Sequence, residues 1–255
     1  MYFDTHAHLD DRQFNEDREE IIKRAKEEGV DLIVNPGDNM STSKKSIEIA
    51  ENYDFIYAAI GFHPHNAKDV KKDSYRRLEE MSQHPKVVAI GEIGLDYYRN
   101  HSPRNVQREV FIGQIEFADK LDLPIIIHDR EAHGDIFEIL QRYYNGKSGG
   151  VLHSYSGSVE MAYRFIELGL YISISGPITF KNARKNIEVV KEIPLEHLLI
   201  ETDSPYLTPE PFRGKRNHPS LVKYVAEKIA NIKGIDVEEV AERTRENGKK
   251  LFRIA

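Results

Sequence analysis

The chain alternates short apolar runs with longer charged segments, and this alternation constrains its fold more than any other feature of the sequence. The apolar runs have the length of β-strands and are bounded by turn residues. They lie at residues 2–4, 31–35, 55–60, 87–91, 124–128, 150–153, 171–174 and 198–201. Amphipathic segments such as 17–28, 43–51, 106–120 and 130–142 separate them, with apolar residues at three- and four-residue steps. Strands that alternate with helices in this way indicate a parallel sheet covered by helices.

Eight strand–helix units in 255 residues match the strand number and the usual length of a closed (β/α)8 TIM barrel. The run Ile125, Ile126 and Ile127 is continuously apolar, as expected for a strand between a barrel interior and a helix layer. No Gly/Ser-rich linker divides the chain, so we expect a single domain over residues 1–255. Segment 236–252 is predicted to be an additional C-terminal helix that packs on the barrel exterior. An open doubly wound sheet is the alternative that this pattern leaves.

The overall composition limits the classes of function. The formal net charge of −6 argues against a protein that wraps nucleic acid with a broad basic surface, so an anionic substrate has to be attracted locally. The absence of cysteine excludes disulfides and thiolate metal sites. The first residues show no basic and apolar leader, and no apolar run has the length of a membrane span. We therefore expect a cytoplasmic protein without membrane association.

Histidine and acidic side chains are concentrated at the C-terminal ends of the predicted strands. These residues are His6, His8, His63, His65, Glu92, His128, His153, Glu201 and Asp203. In a closed barrel all strand ends meet at one mouth, where the active sites of such barrels lie. The period of two in an extended segment places His6 and His8 on the same face, so both can bind one ion. The remaining histidines fit no strand end and are expected to be structural: His84, His101, His133, His197 and His218.

This set of donors predicts a metal site. Neutral imidazole with carboxylate suits zinc, manganese, iron or cobalt, and carboxylate with water suits magnesium, so the ligand type does not identify the ion. We expect two divalent metal ions, of Mg, Mn or Zn. Because closely spaced cations repel unless an anion lies between them, Glu92 is the candidate for the bridging ligand. Bound cations would dominate the local field, which reconciles an anionic substrate with an acidic protein.

The segment 211–217 is a basic loop that contains glycine and lies close to the end of the eighth predicted strand. Its Arg213, Lys215 and Arg216 are predicted to contact the phosphate backbone of a substrate, and the alternative is an exposed loop with solvated charges. Three aromatic residues could stack on bases, although packing is the interpretation we favour: Tyr155, Tyr206 and Phe212.

Seven motifs follow one another along the chain: DTHAHL at 4–9, GFHPH at 61–65, GEIGLDY at 91–97, IH at 127–128, HSYSG at 153–157, ETDSPY at 201–206 and RGKRN at 213–217. Together they resemble the TatD-type deoxyribonucleases of the metal-dependent amidohydrolase superfamily, over essentially the whole chain. The resemblance implies cleavage of DNA phosphodiester bonds, commonly from an end, with magnesium or a similar ion. It implies one ion held by His6, His8, Glu92 and Asp203, and a second held by Glu92, His128 and His153. Many superfamily relatives have a carboxylated lysine as the bridge, and Glu92 at that strand favours the nuclease branch.

The expected reaction is hydrolysis with catalytic roles for Glu92, Asp203, His63 and His65. Asp203 would accept the proton of the attacking water, and His63 or His65 would stabilise the phosphate charge or protonate the leaving oxygen. Glu201 is predicted to position Asp203 or a ligand histidine. We expect DNA as the substrate, in single-stranded form, and the sequence indicates no protein partner. Two other functions stay open: an amidohydrolase or esterase acting on a lactone or an aminoacyl ester, and a non-catalytic metal-dependent nucleic-acid-binding protein.

Overall fold

The computed structural model describes residues 1–255 and contains eight strands that pair in sequential order in one parallel sheet. The strands are β1 (Tyr2–Asp4), β2 (Val30–Pro36), β3 (Ile56–Ile60), β4 (Val87–Asp96), β5 (Ile125–Arg130), β6 (Gly150–Leu152), β7 (Leu170–Ile174) and β8 (Leu198–Ile200). The residues after β1 and β8 join the two edges, because the Thr5 N–H donates to the Ile200 carbonyl at 3.2 Å and the His8 N–H to the Ser204 carbonyl at 2.8 Å. The predicted barrel is therefore confirmed. A doubly wound sheet, whose strand order reverses at a switch point, is excluded.

Nine α-helices follow the strands: α1 (Arg18–Glu27), α2 (Met40–Glu51), α3 (Ser74–Ser82), α4 (Arg104–Leu121), α5 (His133–Tyr143), α6 (Val159–Glu167), α7 (Arg184–Glu192), α8 (Val222–Lys233) and α9 (Val237–Phe252). The largest differences from the predicted bounds have local causes. Helix α2 begins earlier because Asn39 caps it, its side chain accepting from the N–H groups of Ser41 and Thr42. Helix α5 begins later because β5 continues to Arg130. No helix has both the length and the apolar composition required to cross a bilayer.

Helix α9 is the predicted additional C-terminal helix, but its packing differs from the expected one. Its end contributes to a buried cluster formed by the inner faces of the strands, through Leu251, Phe252 and Ile254. The rings of Phe252 and Phe3 lie 5.9 Å apart. The Asn247 side chain donates to the Leu198 carbonyl at 2.9 Å, at the beginning of β8. The helix thus closes the barrel at the end opposite to the strand C-termini, where apolar side chains of the interior would otherwise be exposed.

Strand β4 extends five residues beyond its predicted end at 91 and carries an irregularity in its pairing with β5. The register passes from Ile90 opposite Ile125 to Ile93 opposite Ile127, so three positions of β4 span two positions of β5. Such bulges redirect side chains, and they are frequent beside active sites. The residue at this irregularity is Glu92, which is buried.

Candidate metal centre

The six predicted metal ligands come together at the C-terminal mouth of the barrel. Two of them, His6 and His8, follow β1 in an extended segment that is held on both sides. Ala7 forms a parallel bridge with Ser204, and its N–H donates to the Val34 carbonyl at 3.0 Å. Both rings therefore point to the same side, and their Nε2 atoms lie 3.1 Å apart. The period-of-two prediction for this pair agrees with the geometry.

Glu92 lies between two groups of histidine nitrogens. Its Oε2 lies 3.2 Å from the Nε2 of His6 and 3.6 Å from the Nε2 of His8. Its Oε1 lies 2.7 Å from the Nδ1 of His128 and 2.9 Å from the Nε2 of His153. Each carboxylate oxygen thus faces a different group of ligand atoms, which is the geometry that a bridging ligand requires.

Asp203 completes the first of these groups. Its Oδ1 lies 3.5 Å from the Nε2 of His8 and 3.8 Å from the Nε2 of His6. The residue has φ of +55°, a left-handed conformation that aspartate adopts more readily than most residues. Its N–H donates to the His6 carbonyl at 2.9 Å, which fixes the turn after β8 against the segment after β1. Left-handed non-glycine residues cluster at functional sites, where the surrounding contacts hold them.

The donor atoms fit a metal ion in chemistry as well as in position. Two pairs of imidazole nitrogens face each other, at 3.1 Å between His6 and His8 and at 3.2 Å between His128 and His153. Their lone pairs repel when both nitrogens are unprotonated, and a shared cation turns this repulsion into coordination. Imidazole and carboxylate are also the ligands that zinc, manganese, iron and cobalt accept. The residues present therefore suit divalent ions at both groups.

The electrostatics of the cluster favour charge on its carboxylates. Burial alone would raise the pKa of Glu92, but the facing histidines, with His153 first among them, hold that pKa well below its usual range. Burial would likewise lower the pKa of His8, but the hydrogen bond to Asp203 and the carboxylates of Asp38 and Glu92 raise it well above its usual value. The carboxylates are thus ionised and able to bind cations.

His63 and His65, the two predicted catalytic histidines, lie beside the second group of ligands. The Nδ1 of His63 accepts from the His65 N–H at 3.1 Å, which leaves the proton of a neutral ring on Nε2. That Nε2 lies 3.5 Å from the Oε1 of Glu92. Burial, and then the charge of His128, lower the pKa of His63 well below its usual value. His63 is therefore a neutral hydrogen-bond donor directed into the site.

Asp96, which sequence reasoning did not select, connects His65 with the metal ligand His128. Its fully buried Oδ2 lies 2.8 Å from the Nε2 of His65 and 3.3 Å from the Nε2 of His128. The carboxylate is fixed in turn, because its Oδ1 accepts from the Arg99 N–H at 2.7 Å and Gln107 bonds to both backbone groups of Asp96. A hydrogen bond at Nε2 keeps the Nδ1 of His128 free to face the ligand group.

We expect Asp96→Asn to weaken metal binding about 10- to 100-fold, because an amide is a poorer acceptor and no longer fixes the ring of His128. Competition against a chromophoric chelator measures the affinity. Asp129→Asn is the matched control, since Asp129 pairs with His133 at 2.7 Å on the neighbouring strand and His133 is not a predicted ligand. Equal affinities for the two variants would contradict a positioning role of Asp96.

Glu201 and Asp38 also lie next to the ligands. The Oε1 of Glu201 is 3.3 Å from the Nδ1 of His153, close but not aligned as a hydrogen bond, and it accepts from the Ser154 N–H at 2.7 Å. This placement agrees with the predicted support of a ligand histidine. Asp38 lies within ligand distance of His8 and Glu92, and burial raises its pKa to about 6. Asp38 follows β2 at the same mouth, so its position after a strand is the sequence signal that identifies it.

The basic loop is placed less favourably for substrate than expected. Arg216 forms a two-pronged ion pair with Asp17, and Arg213 lies over the ring of Phe180 at 4.1 Å. Lys215 lies 5.7 Å from the ring of Phe212. The role of Arg213, Lys215 and Arg216 in substrate binding stays a prediction, but the charge of Arg216 is already neutralised.

The three aromatic residues with a possible stacking role have different environments. Tyr155 is only 3% exposed, and its hydroxyl donates to the Ser158 carbonyl at 2.8 Å. Phe212 packs edge to face on Tyr224 at 5.3 Å. Both residues are therefore packing residues, as we favoured. Tyr206 is 48% exposed, and its ring lies 6.2 Å from that of His8, so it remains available to a substrate.

Among the histidines expected to be structural, His101 stands out. Its ring packs edge to face on His65 at 4.6 Å, which places it at the rim of the candidate site. Sequence position gave no sign of this because His101 lies in the loop after β4, away from any strand end. His84 and His133 pair with acidic side chains, Glu51 and Asp129.

Comparison with known proteins identifies the family. The family described as TatD related DNase matches residues 3–253. The chain is 53% identical to the uncharacterized metal-dependent hydrolase YabD of Bacillus subtilis (strain 168), over 100% of both chains. It is 34% identical to the 3'-5' ssDNA/RNA exonuclease TatD of Citrobacter rodentium (strain ICC168), over 99% of this chain and 98% of that one.

A solved structure agrees with these relatives. The crystal structure of YJJV, a TatD homolog from Escherichia coli K12, matches with a TM-score of 0.93 and 32% identity, covering 100% of this chain and 98% of that one. The resemblance inferred from the seven motifs is thus confirmed along the whole chain. The chain belongs to the TatD family of metal-dependent hydrolases.

Proposed function

We propose that this protein is a nuclease that uses two divalent ions, of Mg, Mn or Zn, to hydrolyse the phosphodiester bonds of single-stranded DNA from one end. One observation carries the proposal: the two oxygens of Glu92 face two separate groups of ligand atoms. Glu92 would thus hold two divalent ions together with the histidines and Asp203, and such ions would supply charge stabilisation for phosphodiester hydrolysis. Relatives named 3'-5' ssDNA/RNA exonuclease support this substrate class and suggest attack at the 3' end.

The charge balance of the site supports an anionic substrate. Two divalent ions carry twice the charge of the two carboxylates Glu92 and Asp203, and the other predicted ligands are imidazoles. The ligand shell itself would therefore be positive when loaded, although the neighbouring carboxylates of Asp38, Asp96 and Glu201 reduce this excess and the whole chain has a formal charge of −6. Bound cations are the largest charges in such a site and determine the local potential. A phosphodiester is attracted to this mouth and not to the protein surface in general.

The residues around the ligands can perform the proton transfers of hydrolysis. Divalent ions, when bound, polarise the phosphoryl oxygens and acidify a water molecule. Asp203 accepts the proton that the water gives up as its oxygen bonds to phosphorus. The bond between phosphorus and the sugar oxygen breaks, and that oxygen receives a proton from the Nδ1 of His65, because the Nε2 of that ring is held by Asp96 at 2.8 Å. His63 donates a hydrogen bond to the phosphate.

The test is cleavage of single-stranded oligonucleotides labelled at the 3' or the 5' end, by metal-stripped protein with and without added Mg²⁺ or Mn²⁺. We expect a ladder of products that starts from one end and depends on the added ion. Asp203→Asn, purified in parallel, excludes a contaminating nuclease because it should leave the oligonucleotide intact. Intact DNA from metal-loaded wild-type protein that turns over lactones or aminoacyl esters would replace this proposal with the carbonyl hydrolase.

A further inference from the structure

Three exposed side chains lie on the rim of the barrel mouth directly beyond the second ligand group. Tyr98 and Arg99 follow the end of β4, and Arg130 is the last residue of β5. We call these three residues the β4–β5 rim. The two strand ends are joined there, since the Tyr97 N–H donates to the Arg130 carbonyl at 2.9 Å. Arg130 is two residues beyond His128, which corresponds to about 7 Å along a strand.

The two arginines of the rim have no anionic partner in the protein. The guanidinium groups of Arg99 and Arg130 form no ion pair and no hydrogen bond with another residue, although Glu131 follows Arg130 directly. Nearby Arg108, in contrast, is paired with Asp135. Unpaired guanidinium groups keep their full capacity for phosphate, whose oxygens they bind in two-pronged fashion.

Tyr98 adds an exposed aromatic surface between these cations. Its side chain is 55% exposed, so its ring is accessible to a ligand. The guanidinium carbon of Arg130 lies 4.2 Å from the ring centre, and that of Arg99 lies 5.6 Å away. Single-stranded nucleic acids bind to such combinations, because bases stack on the aromatic ring and the arginine planes while the cations attract the backbone.

We propose that the β4–β5 rim binds the part of a single-stranded nucleic acid that lies next to the nucleotide in the metal centre. For its substrate, the proposal rests on the proposed nuclease function. It places the contact with the phosphate backbone of the nucleic acid at this rim, whereas the sequence predicts that contact at the 211–217 loop. Arg216 of that loop is neutralised by Asp17, whereas neither arginine of the rim has an ion pair and Arg130 lies two residues beyond the ligand His128. In a chain of net charge −6, two free arginines beside the mouth are a local attraction for phosphates.

The binding test uses fluorescence anisotropy of a labelled oligo(dT) of about 12 nucleotides, with Ca²⁺ as the added ion. Tyr98→Ala should weaken binding about tenfold, and Tyr98→Phe should bind like the wild type, because the ring alone stacks. The double variant Arg99→Gln, Arg130→Gln should reduce the slope of log affinity against log salt by about 1.4, since each lost phosphate contact on a single strand accounts for about 0.7. All three residues are exposed, so folding should be unaffected.

Arg142 provides the matched control, because it is an exposed arginine that lies 5.3 Å from the ring of Tyr143 at the end of α5, which leads into β6 at the opposite end of the barrel from the mouth. Arg142→Gln should leave affinity and salt slope unchanged. Wild-type affinity and slope in the rim variants would overturn the proposal, even if the protein cleaves DNA. If the rim variants weaken binding but no metal supports cleavage, the binding proposal for the rim stands and the nuclease proposal is wrong. Failure to bind the oligonucleotide at low salt would overturn both.

Discussion

Glu92→Gln should lower kcat by about a thousandfold or more, whichever phosphodiester or ester proves to be the substrate. Glutamine keeps the shape of the side chain, but its amide group carries no charge and one of its ends can only donate. One of the two ligand groups then loses its oxygen, and two closely spaced cations lose the anion between them. The bound metal should fall from two ions to one at most, as measured by elemental analysis of the purified variant.

A thermal-shift measurement separates this loss from misfolding. A ligand that binds the folded state stabilises it by mass action, so the increase in Tm on adding Mn²⁺ should shrink in Glu92→Gln. Glu80→Gln is the control, because Glu80 is 63% exposed and pairs with Arg76 on the surface of α3. It should change neither kcat nor the thermal shift. A Glu92→Gln protein with two bound ions and kcat within tenfold of the wild type would refute the bridging role.

Strand ends alone were enough to predict that the six candidate ligands meet at one mouth, although Asp38 and Asp96 beside them were not predicted. His6, Glu92 and Asp203 are far apart in the sequence, yet barrel closure brings both carboxylates within 4 Å of the Nε2 of His6. The prediction depended on two simple facts: the C-termini of all strands in a barrel lie at one mouth, and alternate residues of an extended segment share a face. Neither fact requires knowledge of side-chain packing.

Features that depend on non-local contacts were not predictable in this way. The pairing irregularity at Glu92 depends on how β4 meets β5, and the apolar run 87–91 carries no sign of it. The ion pair between Arg216 and Asp17 joins two segments that are distant in sequence. The sequence therefore does not show that one of the charges of the basic loop is neutralised. The packing of Phe252 into the barrel was missed because an amphipathic pattern shows which face is buried but not against what.

Gly94→Ala should destabilise the protein by about 3 kcal/mol or more and should also remove metal from the second ligand group. Gly94 lies opposite His128 in the β4–β5 pairing and has φ of +140°, a conformation that residues with a Cβ rarely adopt. A Cβ at this position would lie 2.0 Å from the carbonyl oxygen of His128. That atom is backbone and cannot rotate away, so the two strands must separate.

The separation should propagate to the metal centre because the strand that moves carries His128. Its Nδ1 is 2.7 Å from the Oε1 of Glu92, a distance that tolerates little displacement. Urea unfolding of the metal-free protein measures the stability loss, and a metal titration of the folded fraction measures the loss of binding. The two losses should appear together, since one displacement of β5 causes both.

Two other glycines separate the steric clash from the backbone penalty. Gly214 has φ of +89°, but no atom lies within 4 Å of the position that a Cβ would occupy, so Gly214→Ala should cost only about 1–2 kcal/mol for the left-handed conformation. Gly134 has neither constraint and lies in the first turn of α5, where alanine should be neutral or stabilising by up to about 1 kcal/mol. The most stable of the three variants should therefore be Gly134→Ala, followed by Gly214→Ala, and the least stable should be Gly94→Ala. A contrary result would be a Gly94→Ala protein that unfolds at the same urea concentration as Gly214→Ala and keeps its metal. That result would refute the claim that the close approach of β4 to His128 holds the second ligand group in place.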